Sequence, residues 1–228
     1  MTTALTLSER TDSTSSPTNT RPTRPRFHLA VVAAPALWVL VALAHPMGSG
    51  SLYPELHDQV PLWLTLHAAQ LVLSIGLAAG LWTALRGLHG AAATMARAAI
   101  PVYLVFFAAF DSVAGLATGL TIHHANSNSG AVREGAISTA DYLMSAANLS
   151  PVNAIGSTAM IFAIAGTAMA LRRAGAHRST WGLLLTGLLG TMHAGGAAAV
   201  GFGALALAFH RLHRSGRPAR TDASRNGS

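Results

Sequence analysis

Asp111 is the one charged residue between Arg97 and Arg133, set among Tyr, Phe, Val, Ala and Gly. An unpaired carboxylate at the centre of such an apolar run costs about 3 kcal/mol even on lenient membrane-insertion scales. The group is therefore either protonated or paired. Gly115, Thr118 and Gly119 follow at i+4, i+7 and i+8, so they share its helical face. That face is small and polar, shaped for close approach of another helix. Two readings stand side by side: a carboxyl that binds a proton or ion or takes part in catalysis, and a carboxyl that ties two helices by a hydrogen bond.

Histidines supply the second half of the chemistry. His67 has Gln70 and Ser74 on its face at i+3 and i+7, and His193 has Thr186 and Gly190 on its own. His45 precedes Pro46 at the end of an apolar run. Asp111, His67, His193, Gln70 and His45 are thus the candidates for one ligand- or proton-binding pocket. His67, His193 and Asp111 also form a reasonable ligand set for Zn, Fe or Mn, and His67 with His193 could serve as axial ligands of a haem. No spacing motif supports either cofactor, and histidines that merely join helices explain the same residues. His57, His123 and His124 read as solvated loop residues, His210 and His213 as interfacial ones.

The elements that must hold these residues follow from charge. The chain has 228 residues, 51% hydrophobic and 10% charged, whereas an average soluble domain carries about 25% charged residues. Four stretches carry no Asp, Glu, Lys or Arg: Arg26 to Glu55, Asp58 to Arg86, Asp141 to Arg172 and Arg178 to Arg211. Each is long enough for a helix of about 20 residues to cross a bilayer core. The chain is therefore an all-α integral membrane bundle of about five transmembrane helices, over residues 27–210. The spans fall near Leu29–His45, Pro61–Leu85, Ala98–Ile122, Pro151–Leu171 and Thr180–His210. Between the third and fourth lies a loop from His123 to Ser150 with a short helix near Ser138–Ala147. Residues 1–26, rich in Ser, Thr and Pro, read as a disordered basic arm, and 211–228 as a disordered Arg-rich tail.

Arg placement orients the bundle. The loops after spans two and four carry Arg86, Arg97, Arg172, Arg173 and Arg178, while the loop after span one carries none. The positive-inside tendency puts the N-terminus in the cytoplasm. One feature conflicts. Five crossings put the tail outside, yet it holds Arg211, Arg214, Arg217, Arg220 and Arg225. Five full spans is the preferred reading; the alternative is a re-entrant segment bending at Gly195-Gly196, which returns the tail to the cytoplasm. A signal peptide cleaved after Ala42-Leu43-Ala44 is a further alternative for span one.

Other classes fall away. The net charge of +7 comes from Arg in tails and loops, which anionic lipid explains without nucleic acid. There is no cysteine, hence no disulfide framework and no thiolate metal site. No phosphate-binding loop, GxSxG elbow, HExxH motif or voltage-sensing Arg series is present, and no inverted repeat is evident. All-Arg basic residues with abundant Ala and Gly point to a GC-rich bacterial genome. The pairs Gly76/Gly80 and Gly115/Gly119 have GxxxG spacing, which packs helices within a bundle or between chains.

The chain resembles a group of small uncharacterised actinobacterial integral membrane proteins. The likeness rests on His45-Pro46, His67, the Asp111-Ser-Val-Ala-Gly-Leu-Ala-Thr-Gly119 run and His193, across about residues 27–210. It implies a plasma-membrane location and no activity. Three functions compete: a non-enzymatic small-ligand or proton-linked binding or accessory component, a metal- or haem-dependent membrane enzyme, and a subunit of a transport complex. The first is preferred.

Overall fold

Lipid offers no hydrogen-bond partner to a bare backbone, so a chain of this composition must satisfy its amides within helices. A computed structural model, which describes residues 25–46 and 50–214, bears this out. Most of the N-terminal arm, to residue 24, and the tail from 215 lie outside the described residues.

In chain order the helices are α1 (Pro25–Ala44), α2 (Tyr53–Leu56), α3 (Val60–Ala84), α4 (Ala91–Asp111), α5 (Thr118–Asn126), α6 (Gly130–Leu149), α7 (Pro151–Arg173), α8 (Arg178–Thr186) and α9 (Gly195–Arg214). Four stretches are long and apolar enough to cross a membrane: Val60–Ala84, Ala91–Asn126, Pro151–Arg173 and Gly195–Arg214. To these α1 adds the apolar stretch Leu29–Ala44. Local signals set the boundaries. Pro opens α3 and α7, where its missing N–H costs nothing. Ser150 caps α7 by accepting from the Asn153 amide at 3.2 Å. At the far end of α3 the Arg97 guanidinium donates to the carbonyls of Leu85 and Leu88, at 2.6 and 2.7 Å, and so meets acceptors that the helix leaves open.

The loop expected between the third and fourth spans is largely helical, which corrects that reading. α5 runs on to Asn126, and α6 turns back along it for 20 residues rather than the ten or so expected. The region's polarity misled the sequence reading: α6 carries Arg133, Glu134 and Asp141. It buries only a narrow stripe of Ala136, Ala140 and Ala147. Asp141 fastens this layer to the loop after α1, accepting from the Leu52 amide and the Ser51 hydroxyl at 2.9 and 2.8 Å.

The last apolar run is not one continuous helix, so its expected bounds are corrected: the part long and apolar enough to cross is Gly195–Arg214. α8 passes into a 3₁₀ turn (Gly187–Met192), and the chain reverses at His193 and Ala194 before α9 begins. Gly187 packs on Leu205, and Gly190 on Phe202 and Gly201. Falling numbers thus meet rising ones, as an antiparallel hairpin requires. The ascending arm is about 25 Å long, from 1.5 Å per α-helical and 2.0 Å per 3₁₀ residue. The bend lies at the expected place, just before Gly195-Gly196, where Gly195 adopts φ +79°.

Neighbouring pairs fix every direction. Asp111 and Gly115 meet His67 while Arg97 meets Leu85, so α4 is antiparallel to α3. Gly156 meets Phe106 and Gly166 meets Ala92, so α7 is antiparallel to α4. Gly80 seats Phe209 and Gly76 seats Ala34, so both glycines of that GxxxG pair pack within the chain. Trp38 meets Phe202 and His45 meets His193, so α1 and α9 run in opposite directions, and their ends marked by Pro25 and Arg214 share one face. Arg86, Arg172, Arg173, Arg178, Arg211 and Arg214 all lie toward that face. Among the described residues the opposite face holds only Arg133. The conflict posed by the basic tail disappears.

Because the chain has no cysteine, single substitutions Ser127→Cys, Ala174→Cys and Arg214→Cys map this topology. With a membrane-impermeant thiol reagent on sealed vesicles, the last two should label from one side and Ser127→Cys from the other. Shared labelling of Ser127→Cys and Arg214→Cys would restore the single crossing. The hairpin itself is tested by Gly201, whose added Cβ would strike the Gly190 backbone, whereas one at Gly203 meets Val39 at an ordinary 3.8 Å. Gly201→Ala should cost about 1–3 kcal/mol by overpacking and lower the Tm, with Gly203→Ala nearly neutral.

Candidate functional site

Asp111 ends α4 and is immediately followed by a π-helical turn, Ser112–Ala117, before α-helical geometry resumes at Thr118. π-turns insert an extra residue per turn and often mark functional sites. Within the turn the Thr118 hydroxyl donates to the Val113 carbonyl, five residues back, at 3.0 Å. Counting from Arg97, Asp111 lies about 21 Å along the helix at 1.5 Å per residue, in the half of the bundle remote from the Arg-rich face.

The carboxyl is fully buried and pairs with His67 across the α3–α4 contact, Nδ1 to Oδ1 at 2.6 Å. Gly115 makes the approach possible, since any Cβ there would overlap the His67 imidazole. Trp63, one turn before His67, lies against that imidazole with centroids 4.4 Å apart, and its indole N–H donates to the Gly115 carbonyl at 2.8 Å. Gly119 in turn seats Trp63 and Leu64. The small face foreseen around Asp111 is therefore the seat of α3.

His45 extends the line. Its Nδ1–H donates to the Pro46 carbonyl at 2.8 Å, an assignment forced by the acceptor-only carbonyl. Its ring stands edge-on to His67 and to His193, 5.2 Å from each. His193 sits at the hairpin reversal with φ +49°, the one positive-φ non-glycine among the described residues, and its ring also meets Phe110. Such a conformation is uncommon outside glycine and tends to be retained where a side chain must be aimed. The four predicted residues thus form a continuous line, His193–His45–His67–Asp111, with His193 reaching the carboxyl only through His45.

Gln70 is fully buried, and neither its amide nitrogen nor its oxygen has a partner. The Nε2 atoms of His45 and His67 and Oδ2 of Asp111 are likewise buried without a partner. Unsatisfied buried groups cost about 1–3 kcal/mol each, so several together mark a place suited to a polar guest.

Beyond His193 opens a cavity of about 240 Å³, walled by Trp38, Tyr103, Phe106, Phe107, Phe110 and Phe202. The sequence reading missed this aromatic chamber and Trp63. Trp63 precedes His67 by four residues, the same spacing used to find Gly115, so it was within reach. The chamber draws on α1, α4, α7 and α9, and no local spacing announces it.

Among the described residues, no group of three or more His, Asp or Glu is gathered to hold a metal ion; the three residues of the metal reading are strung along a line. His45 packs against both imidazoles that a bis-histidine haem requires. No family model matches the chain, nor does any curated protein or solved structure.

Removing one partner from a buried pair leaves the other uncompensated, at about 3–5 kcal/mol. Asp111→Ala should therefore lower unfolding stability in detergent by that order. The double variant His67→Phe with Asp111→Leu should recover much of the loss, since it leaves no orphaned charge. Equal damage from both variants would show that the pair is not what holds α3 to α4.

Proposed function

We propose that this chain is a multi-pass membrane protein that binds a small uncharged molecule in the aromatic cavity and exchanges protons with it through the histidine line. The observation that carries this reading is the contact series His193–His45–His67–Asp111, one end at the cavity wall and the other a buried carboxyl. With Nδ1–H given to Pro46, a neutral His45 keeps a basic Nε2. An ionised Asp111 accepts Nδ1–H of His67 and leaves that ring's Nε2 basic as well. A proton taken up at either imidazole is stabilised by the carboxylate, as in other carboxylate–histidine pairs. The role is that of a binding or accessory component rather than an enzyme.

The Arg-rich face belongs in the cytoplasm by the positive-inside tendency, with Pro25 and Arg214 on that side and the cavity in the outer half. A bacterial plasma membrane fits this arrangement and the resemblance drawn from His45-Pro46, His67 and the Asp111–Gly119 run.

Nitrogen NMR of ¹⁵N-histidine-labelled protein tests the coupling. His67 should hold its proton on Nδ1 in the wild type and lose that preference in Asp111→Asn. The titration of His193 should move in both Asp111→Asn and His45→Phe. A His193 titration indifferent to both would break the line and end the proposal.

A further inference from the structure

Charge is segregated between the two ends of the bundle. Among the described residues the acids are Glu55, Asp58, Asp111, Glu134 and Asp141, and all lie in the half remote from the Arg-rich face. No described carboxylate therefore shares the basic end with its guanidinium groups. Arg97 gives its donors to the Leu85 and Leu88 carbonyls. Arg172, Arg173 and Arg178 instead stand exposed around the turn that joins α7 to α8. Like charges crowded on one turn repel one another unless an anion joins them.

One of the three is already aimed. The Arg172 guanidinium lies over the Trp181 ring, 5.4 Å from its centroid, within the range of a cation–π contact. That contact ties the end of α7 to the first turns of α8 and holds both side chains in one place. Trp181 is half-buried, and tryptophan favours the headgroup level of a bilayer, where its body is apolar and its N–H wet. Arg178 stands about one turn before Trp181, nearer the basic face. The hairpin register adds a further charge at the same height. Gly187 on Leu205 and Gly190 on Phe202 set Arg178 level with Arg214 of α9.

Deeper than this charge the surface turns apolar. Leu185 follows Arg178 by seven residues, two turns, so it shares that face of α8. It lies about 10 Å further from the basic face at 1.5 Å per residue. Leu185 is 38% exposed, and Leu189 beyond it 41%. On α7, Met169 lies one turn deeper than Arg172 and is 43% exposed. Two helices that pack on one another thus offer the same order: a guanidinium, an aromatic ring between them, then bare hydrocarbon. A soluble anion would meet only the first of these levels.

We infer that the α7–α8 turn is a binding site for an anionic phospholipid. Its phosphodiester lies between Arg172 and Arg178, its ester level beside Trp181, and an acyl chain along Leu185 and Met169. The guanidinium fork suits the phosphate oxygens, which it can engage two at a time. The site depends on neither the cavity nor the histidine line, so it stands or falls apart from the function proposed above.

Trp181 itself reports occupancy. Trp38 and Trp63 are buried, so Trp82→Phe leaves Trp181 as the one tryptophan that meets lipid. The full chain with that change is reconstituted in phosphatidylcholine vesicles holding a small fraction of phosphatidylglycerol. Bromine is placed on the acyl chains of one lipid or the other. Brominated chains quench a neighbouring indole, so comparing the two quenching curves gives the relative affinity of the two lipids at Trp181. Each ratio is taken within one reconstituted variant, so changes in Trp181 emission itself cancel. We expect phosphatidylglycerol to be favoured about fivefold, the effect of one basic side chain at an anionic surface. Arg172→Gln and Arg178→Gln, both on exposed side chains, should each lower that ratio about twofold or more. Arg173→Gln removes the same charge next to the site and should leave most of the preference. A ratio near one before any Arg is changed overturns the site. So does an equal loss in all three Arg variants, which would show diffuse attraction to the basic end. Loss of the preference when sodium phosphate replaces sodium chloride at equal ionic strength would make a free anion the ligand, and overturns it too.

Discussion

A carboxyl group with no exposed surface, held among apolar helices, constrains everything around it. Asp111 needs a partner, and the partner must come from another helix. His67 meets that need only because Gly115 has no side chain. Trp63 then closes over the imidazole and borrows the Gly115 carbonyl. One pair thus determines where α3 crosses α4, why two glycines stand on that face, and why the helix passes through a π-turn just after the acid.

From that junction the polar line runs outward through His45 to the hairpin tip, so three separate segments meet at one level: the end of α1, the early turns of α3 and the reversal before α9. The arrangement ties the bundle's architecture to its chemistry. α1 carries Trp38 and leads directly into His45. The short ascending arm exists to bring His193 to the same depth. A single long helix there would have carried that imidazole past at whatever angle its turn dictated.

Much of this was legible in the residues. Charge-free runs gave the membrane bundle, and their spacing gave the first, second and fourth spans to within a few residues, while the third begins seven residues earlier and the last is broken. The rarity of an acid in an apolar run singled out Asp111, and helical periodicity named Gly115 and Gly119 as its companions. What the sequence concealed was tertiary. α6 is polar on most of its surface and therefore read as loop, since its narrow alanine stripe gives little periodic signal. The hairpin was hidden because uncharged residues fill both its arms, and hydropathy cannot tell one long crossing from a short ascent and a return. The Arg-rich tail held the clue, as the mismatch between charge and span count. The aromatic cavity was invisible for a different reason: its six rings come from three helices, and each alone is an ordinary core residue.

The return at His193 has a bearing on how copies of this chain can be joined. Because α1 and α9 run in opposite directions, their ends at Pro25 and Arg214 lie on one surface. A second copy appended to the first would begin on the side where its predecessor finished, so both would insert with the same orientation and no linking helix between them. A bundle with an odd number of crossings would instead insert the second copy inverted.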